Sequence, residues 1–250
     1  MIIESAKNSL FKQLLSLTES RGIKKHRQFL LHGKKIVEEQ LARRPQAFVS
    51  VIYQDDHQPI SIPQADHLRP LQLPKELFQQ LDVIGSRSPI LVGTLPDLPN
   101  WSAALTPKGG IDVLTPVGDP KNLGALARSF AAFGGSHFVC LEEAANPFLP
   151  QAIKASSGAI LDIKVCKGPS IQKLNPHDVE MIALDGQGES LTKLQWPDFA
   201  RLLIGEEGPG LPATANLQTI RIDMEAHVES LNATVAGSIA LYDWHNKTKS

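Results

Sequence analysis

Leu202-Leu203-Ile204-Gly205-Glu206-Glu207-Gly208-Pro209-Gly210-Leu211 passes from an apolar run straight into a glycine-rich one. A second run of the same design follows, Ile220-Arg221-Ile222 leading on to Glu229-Ser230-Leu231-Asn232-Ala233-Thr234. Each apolar triplet is predicted to be a strand. Glycines and small polar residues just past a strand end let the backbone approach a ligand closely, and in open α/β sheets the ligand crevice lies at those carboxyl ends. Either segment alone fits an ordinary surface turn. Two of them late in one chain point to a single pocket built from both.

A third segment stands upstream. The apolar run Ile111 to Val117 precedes Asp119-Pro120-Lys121-Asn122-Leu123-Gly124-Ala125-Leu126-Ala127-Arg128-Ser129-Phe130-Ala131-Ala132-Phe133-Gly134. An acidic residue, Pro and Asn open a helix. Leu123, Leu126, Ala127, Phe130 and Phe133 recur at helical spacing, and Gly134 supplies the stop. Arg128 follows Gly124 by four residues, on one face of the helix. A lone helical Arg is usually a solvated charge; this one has no acidic neighbour inside the helix, so its partner must come from elsewhere. A further apolar run, Val179 to Leu184, ends at Asp185-Gly186-Gln187-Gly188, which falls short of a dinucleotide fingerprint and reads as a strand-end turn.

Together these segments resemble the SpoU (TrmH-like) branch of the SPOUT methyltransferases, which methylate the ribose 2′-hydroxyl of RNA with S-adenosylmethionine. The first family motif, Asn-x-Gly-x-x-x-Arg, stands as Asn122, Gly124 and Arg128. The second, Gly-x-Glu-x-x-Gly-Leu, stands as Gly205, Glu207, Gly210 and Leu211, and the third as Ser230, Leu231 and Asn232. A lesser signature appears as Ala155-Ser156-Ser157-Gly158-Ala159. The third motif departs from its usual Ile-Pro-Met-x-Gly opening and reads Ile222-Asp223-Met224-Glu225-Ala226.

The resemblance implies an α/β catalytic domain with a mostly parallel sheet, helices on both faces, and a trefoil knot made by the segment from about residue 200. It implies a homodimer through the catalytic domain, with Leu231, Val235, Ile239 and Tyr242 as the apolar stripe of the last helix. The implied cofactor is S-adenosylmethionine, without a metal. It would be held by Leu184, Asp185, Gly186, Ile204, Gly205, Glu206, Gly210, Ile222, Met224, Ser230, Leu231 and Ala233. Chemistry falls to Arg128, Asn122, Ser230, Asn232 and Glu207. In the family Arg128 is either the final proton acceptor or a clamp on phosphate and developing charge; the permanent charge of a guanidinium favours the clamp.

Residues 1–98 read as a small α/β unit. Ala6, Leu10, Phe11, Leu14 and Leu17 mark an amphipathic helix, and Phe29-Leu30-Leu31, Val49 to Tyr53 and Ile90-Leu91-Val92 mark strands. A helix is predicted after Gly33 through Ile36, Val37 and Leu41. The phrase from Phe29 to Glu39 resembles the ribosomal-protein L30e-like substrate domain that precedes the catalytic domain in many SpoU enzymes. Residues 99–110, rich in Pro and Gly, read as a linker, and 111–250 as the catalytic domain.

At 250 residues, 42% hydrophobic and 20% charged, the chain has the composition of a globular protein long enough for two cores. Cys140 and Cys166 fit neither a zinc pattern nor a disulfide framework and are expected to be reduced core residues. No secretory or membrane-spanning pattern is evident, so a cytoplasmic location is expected. No phosphate loop, His-Glu-x-x-His or nucleophile elbow occurs.

The net charge of −1 hides an asymmetry: residues 1–44 carry ten Lys/Arg against four Glu, a net +6 that leaves −7 for the rest. Lys24, Lys25, Arg27, Lys34 and Lys35 are the candidate RNA contacts in this stretch, against a solvated basic face as the alternative. Phe29 and His26 are available for base stacking, although Phe29 fits the core better. The expected substrate is ribosomal RNA. The same activity on tRNA, or an inactive RNA-binding assembly factor, are the alternatives.

Overall fold

A computed structural model of the chain describes residues 1–55, 67–102, 104, 109–174, 180–205, 217–225 and 227–248. These fall into two compact units. The first is Met1–Asp97 with Phe148–Gly158, the second Leu98–Pro147 with Ala159–Ser250. The sequence reading places its boundary near residue 98 and Phe148–Gly158 with the catalytic domain, whereas that segment falls in the first unit. Phe148 stacks within that unit at 5.6 Å from Phe29, which explains the assignment.

The first unit holds α1 (Ser9–Ser16), α2 (Ser20–His26), β1 (Gln28–Leu31), α3 (Lys34–Arg43), β2 (Phe48–Gln54), β3 (Arg69–Leu73), α4 (Lys75–Leu81) and β4 (Ile90–Thr94). Its sheet runs β1-β4-β2-β3; β4 is antiparallel to both neighbours and β2 is parallel to β3. Asn8 caps α1 by accepting from Leu10 N at 2.8 Å. Phe11, Leu14 and Leu17 then join Leu30, Ile52, Leu71 and Val92 in one core. Phe29 is buried against Phe48, so it belongs to the core and is not free for stacking on a base. His32 is buried too, and its Nε2 sits 3.0 Å from the Leu81 carbonyl.

The second unit holds β5 (Gly110–Thr115), α5 (Pro120–Phe133), β6 (His137–Cys140), β7 (Val165–Lys167), β8 (Ile182–Ser190), β9 (Phe199–Leu203), β10 (Gln218–Arg221) and α7 (Ala233–Thr248); α6 (Pro150–Ala155) lies in the segment that joins the first unit. The six strands run β10-β8-β9-β5-β6-β7, and every neighbouring pair is parallel. Leu114, Val139, Cys166, Ala183 and Leu203 are among its core residues. Both cysteines are free, and burial pushes the Cys140 thiol up to about 12. Such thiols are inert at neutral pH. No helix among the described residues is long and apolar enough to cross a membrane.

The turn expected at Asp185-Gly186-Gln187-Gly188 lies inside β8, which continues to Ser190. The expectation survives in another form, because pairing with β10 jumps from Ala183↔Thr219 to Glu189↔Ile220. Residues 184–188 therefore stand out of register, and Asp185 Oδ1 accepts from Gln187 N at 2.8 Å. A Cβ on Gly188 would fall 2.4 Å from the Thr219 carbonyl carbon, so only glycine permits this approach.

Candidate active site

The out-of-register loop of β8 forms one wall of an open cleft of about 190 Å³ at the carboxyl ends of β9 and β10. Its lining comes from three stretches far apart in sequence. Leu184, Asp185 and Gly186 lie in the out-of-register stretch of β8, Ile204 and Gly205 follow β9, and Ile220 to Ile222, Met224, Glu229, Ser230, Leu231, Ala233 and Ala236 run from the end of β10 into α7. Ten of the twelve expected cofactor residues meet here. The other two, Glu206 and Gly210, lie outside the described residues, as do Glu207, Leu211 and Ala226.

The geometry follows from two helix starts. Asp119 accepts from Asn122 N at 2.8 Å and caps α5, with Pro120 at its first turn. Asn232 Oδ1 accepts from Thr234 N at 2.9 Å and Val235 N at 3.3 Å in the same way at the start of α7. The helices then lock together: Thr234 Oγ1 donates to Asn122 O at 2.9 Å, and Ser238 Oγ donates to Ser129 Oγ at 2.7 Å. Gly237 faces this crossing, where a Cβ would lie 2.8 Å from Leu126 Cδ1 and 3.1 Å from Ile204 Cδ1, so those side-chain ends would have to shift to admit one. Ile204 lines the cleft, so the helix packing sets one of its walls.

The residues expected to carry chemistry are placed unevenly. Ser230 lines the cleft and is exposed. Asn122 sits at the α5–α7 junction beside the start of α7, and Asn232 is engaged as a helix cap; neither lines the cleft. Arg128 is exposed on α5, away from the lining, and makes no ion pair or hydrogen bond among the described residues. Sequence reasoning missed Ile220, Arg221, Glu229 and Ala236 in the lining. The Ala155-Ser156-Ser157-Gly158 signature is also absent from it: Ser156 is buried, its hydroxyl donating to Ile153 O at 2.8 Å. Leu231 precedes α7 and faces the cleft; the exposed apolar stripe of that helix is Val235, Ile239 and Tyr242.

Asp223, the departure in the third motif, is held in place by hydrogen bonds. It accepts from the Ser190 hydroxyl on Oδ2 and from Arg221 Nε at 3.1 Å on Oδ1. Among the described residues no group of three His, Cys, Asp or Glu is arranged to hold a metal ion.

The basic candidates in the first unit also separate. Lys24 and Lys25 are exposed on the last turn of α2, and Lys34 on the first turn of α3. Lys35 lies 3.9 Å from Glu39 on the same helix. Arg27 has another task. It closes α2 in a left-handed conformation at φ 55°, its Nη2 donating to Leu95 O at 3.2 Å and pairing with Asp97.

Residues 111–242 match the model of the family described as SpoU rRNA Methylase. The chain is 37% identical over 242 residues to the Ribosomal RNA small subunit methyltransferase G 2 of Syntrophobacter fumaroxidans, covering 97% of this chain and 48% of that protein. It thus spans about half the length of the curated relatives it matches. Among solved structures it resembles an AdoMet-bound rRNA methyltransferase from Sinorhizobium meliloti (TM-score 0.79, 20% identity, 98% of this chain and 97% of that one). It resembles equally the SpoU methyltransferase AviRb from Streptomyces viridochromogenes in complex with AdoMet (TM-score 0.79, 19% identity, 98% and 99%). At these identities the structures establish a shared fold.

Proposed function

Because the chain belongs to the SpoU rRNA Methylase family, we propose that it transfers a methyl group from S-adenosylmethionine to a ribose 2′-hydroxyl of RNA. The observation that carries this is the convergence of three distant segments on one cleft at the strand ends. Leu184, Ile204, Ile222, Met224 and Leu231 offer apolar surface for an adenosine, while Asp185, Gly186, Gly205 and Ser230 offer polar groups around it. Bound there, S-adenosylmethionine would supply a methyl already activated by its sulfonium. What remains for the protein is alignment of the ribose oxygen and removal of its proton.

Arg128 is the residue proposed to meet the RNA. Its guanidinium is suited to grip a phosphate through two parallel hydrogen bonds and to stabilise charge on the 2′-oxygen. Because it stands outside the cleft lining, the RNA must extend beyond the cofactor to reach it. Asn122 and Asn232 position the helix starts beside the cleft. The homodimer is proposed through Val235, Ile239 and Tyr242, an apolar stripe that is exposed in the single chain. The trefoil knot belongs to the same proposal; insertion of the late strand β9 between β8 and β5 agrees with it.

Ribosomal RNA is the favoured substrate, supported by the names of the S. fumaroxidans and S. meliloti proteins and by the separate basic first unit. Mapping 2′-O-methyl groups in total RNA from cells with and without the protein tests this. Loss of a methyl from ribosomal RNA is expected. Loss from tRNA instead would reassign the substrate, and an unchanged map would favour an RNA-binding assembly factor.

A further inference from the structure

Two walls of the cleft are tied by a small charged network. Arg221 Nε donates to Asp223 Oδ1 at 3.1 Å, and Arg221 Nη1 donates to Gly188 O at 2.7 Å. The Ser190 hydroxyl donates to the other oxygen of Asp223. Gly188 and Ser190 belong to β8 and Arg221 closes β10, so the network spans the point where the two strands lose register.

Charge is distributed unevenly around it. Among the described residues, the charged side chains lining the cleft are Asp185, Glu229 and Arg221. Asp223 is not in the lining, yet it directly neutralises the one cation among the described lining residues. The hydrogen bond from Ser190, and after it the charge of Arg221, hold Asp223 below the usual carboxylate range, so it is ionised at neutral pH. With Asp223 present, Asp185 and Glu229 leave the described part of the lining net negative. Without it, Arg221 becomes an uncompensated positive charge on the wall.

We propose that Asp223 is a specificity-determining residue: by neutralising Arg221 it lets the cleft prefer a ligand bearing a positive sulfonium over the same ligand demethylated. This rests on the cofactor assignment above. S-adenosylmethionine and S-adenosylhomocysteine share the adenosine and the amino-acid moiety; they differ by one methyl and one unit of charge at sulfur. Shape-based contacts treat them almost alike, whereas a charge on the wall acts on one and not the other. The consequence is a cleft that releases spent cofactor in exchange for fresh.

Calorimetric titration of both ligands into the full chain tests this, using Asp223→Asn, Arg221→Gln and the double variant, each checked for its thermal transition. Asp223→Asn is expected to lower the ratio of S-adenosylmethionine to S-adenosylhomocysteine affinity by about fivefold, the order expected for one partly screened charge beside the site. The double variant should restore the ratio, and Arg221→Gln alone should raise it. If Asp223→Asn does not fold, Arg221→Gln decides alone, and an unchanged or lowered ratio overturns the proposal. Equal losses for both ligands in Asp223→Asn would make Asp223 a purely structural tie and also overturn it. Failure of the unaltered chain to bind either ligand would instead remove the cofactor assignment itself.

Discussion

Arg128 combines exposure, a helical seat beside the α5–α7 junction and no described partner, so its removal should touch RNA chemistry alone. Arg128→Ala is expected to slow methyl transfer by about a hundredfold or more, the scale of losing one charge-stabilising group. Cofactor affinity and the thermal transition should stay unchanged. A rate within a few-fold of the unaltered chain, on the order of 1 kcal/mol in barrier, would show the assignment to be misplaced. Single residues were legible in sequence where backbone chemistry dictated them, as at Asp119 and Gly134, which cap α5 as expected. They were less legible where one side chain serves two ends. Asn232 reads as a functional residue and is also a helix cap, and Arg27 reads as an RNA contact but closes α2. Asp223 stands where a rigid Pro is usual and holds its loop by hydrogen bonds, a substitution visible only once Ser190 and Arg221 are seen beside it.

Among elements, α7 came from the family resemblance and its stripe of Val235, Ile239 and Tyr242 is exposed, whereas periodicity identified α1, α3, α5 and most strands, because each buries one apolar face. It missed β3, whose Arg69 and Pro70 are exposed at a sheet edge, where Pro costs no ladder bond. The stripe on the last helix was misjudged at Leu231, which lies before α7 and turns into the cleft. Close packing of α5 and α7 is the feature most open to test. Gly237→Val would force Leu126 and Ile204 aside and is expected to cost about 1–3 kcal/mol in urea unfolding, with weaker cofactor binding because Ile204 moves. Unchanged stability and unchanged affinity would mean the crossing has slack that the 2.8 Å approach denies.

For the whole molecule, the Pro/Gly-rich stretch suggested a boundary near residue 98, whereas the membership of Phe148–Gly158 in the first unit had no local signal. That membership depends on packing partners such as Phe29, more than a hundred positions away, which no local pattern encodes. The charge asymmetry was legible, and the structure narrows it to free cations. Replacing Lys24, Lys25 and Lys34 with Ala is expected to weaken RNA binding and flatten its salt dependence by up to about one log unit per lost phosphate contact. Arg27→Ala should chiefly lower stability, since its partners are Leu95 and Asp97. An unaltered salt slope in the triple variant would return the basic stretch to a solvated face. The central claim, methyl transfer to a ribose oxygen, is tested most directly by incubating the chain with unmodified ribosomal RNA and methyl-labelled S-adenosylmethionine, then digesting the RNA with alkali. A 2′-O-methyl group blocks cleavage at its own nucleotide, so the account predicts label in alkali-resistant dinucleotides, appearing about a hundredfold or more slowly in Arg128→Ala. Label recovered in ordinary mononucleotides, or no transfer to any RNA offered, would contradict it.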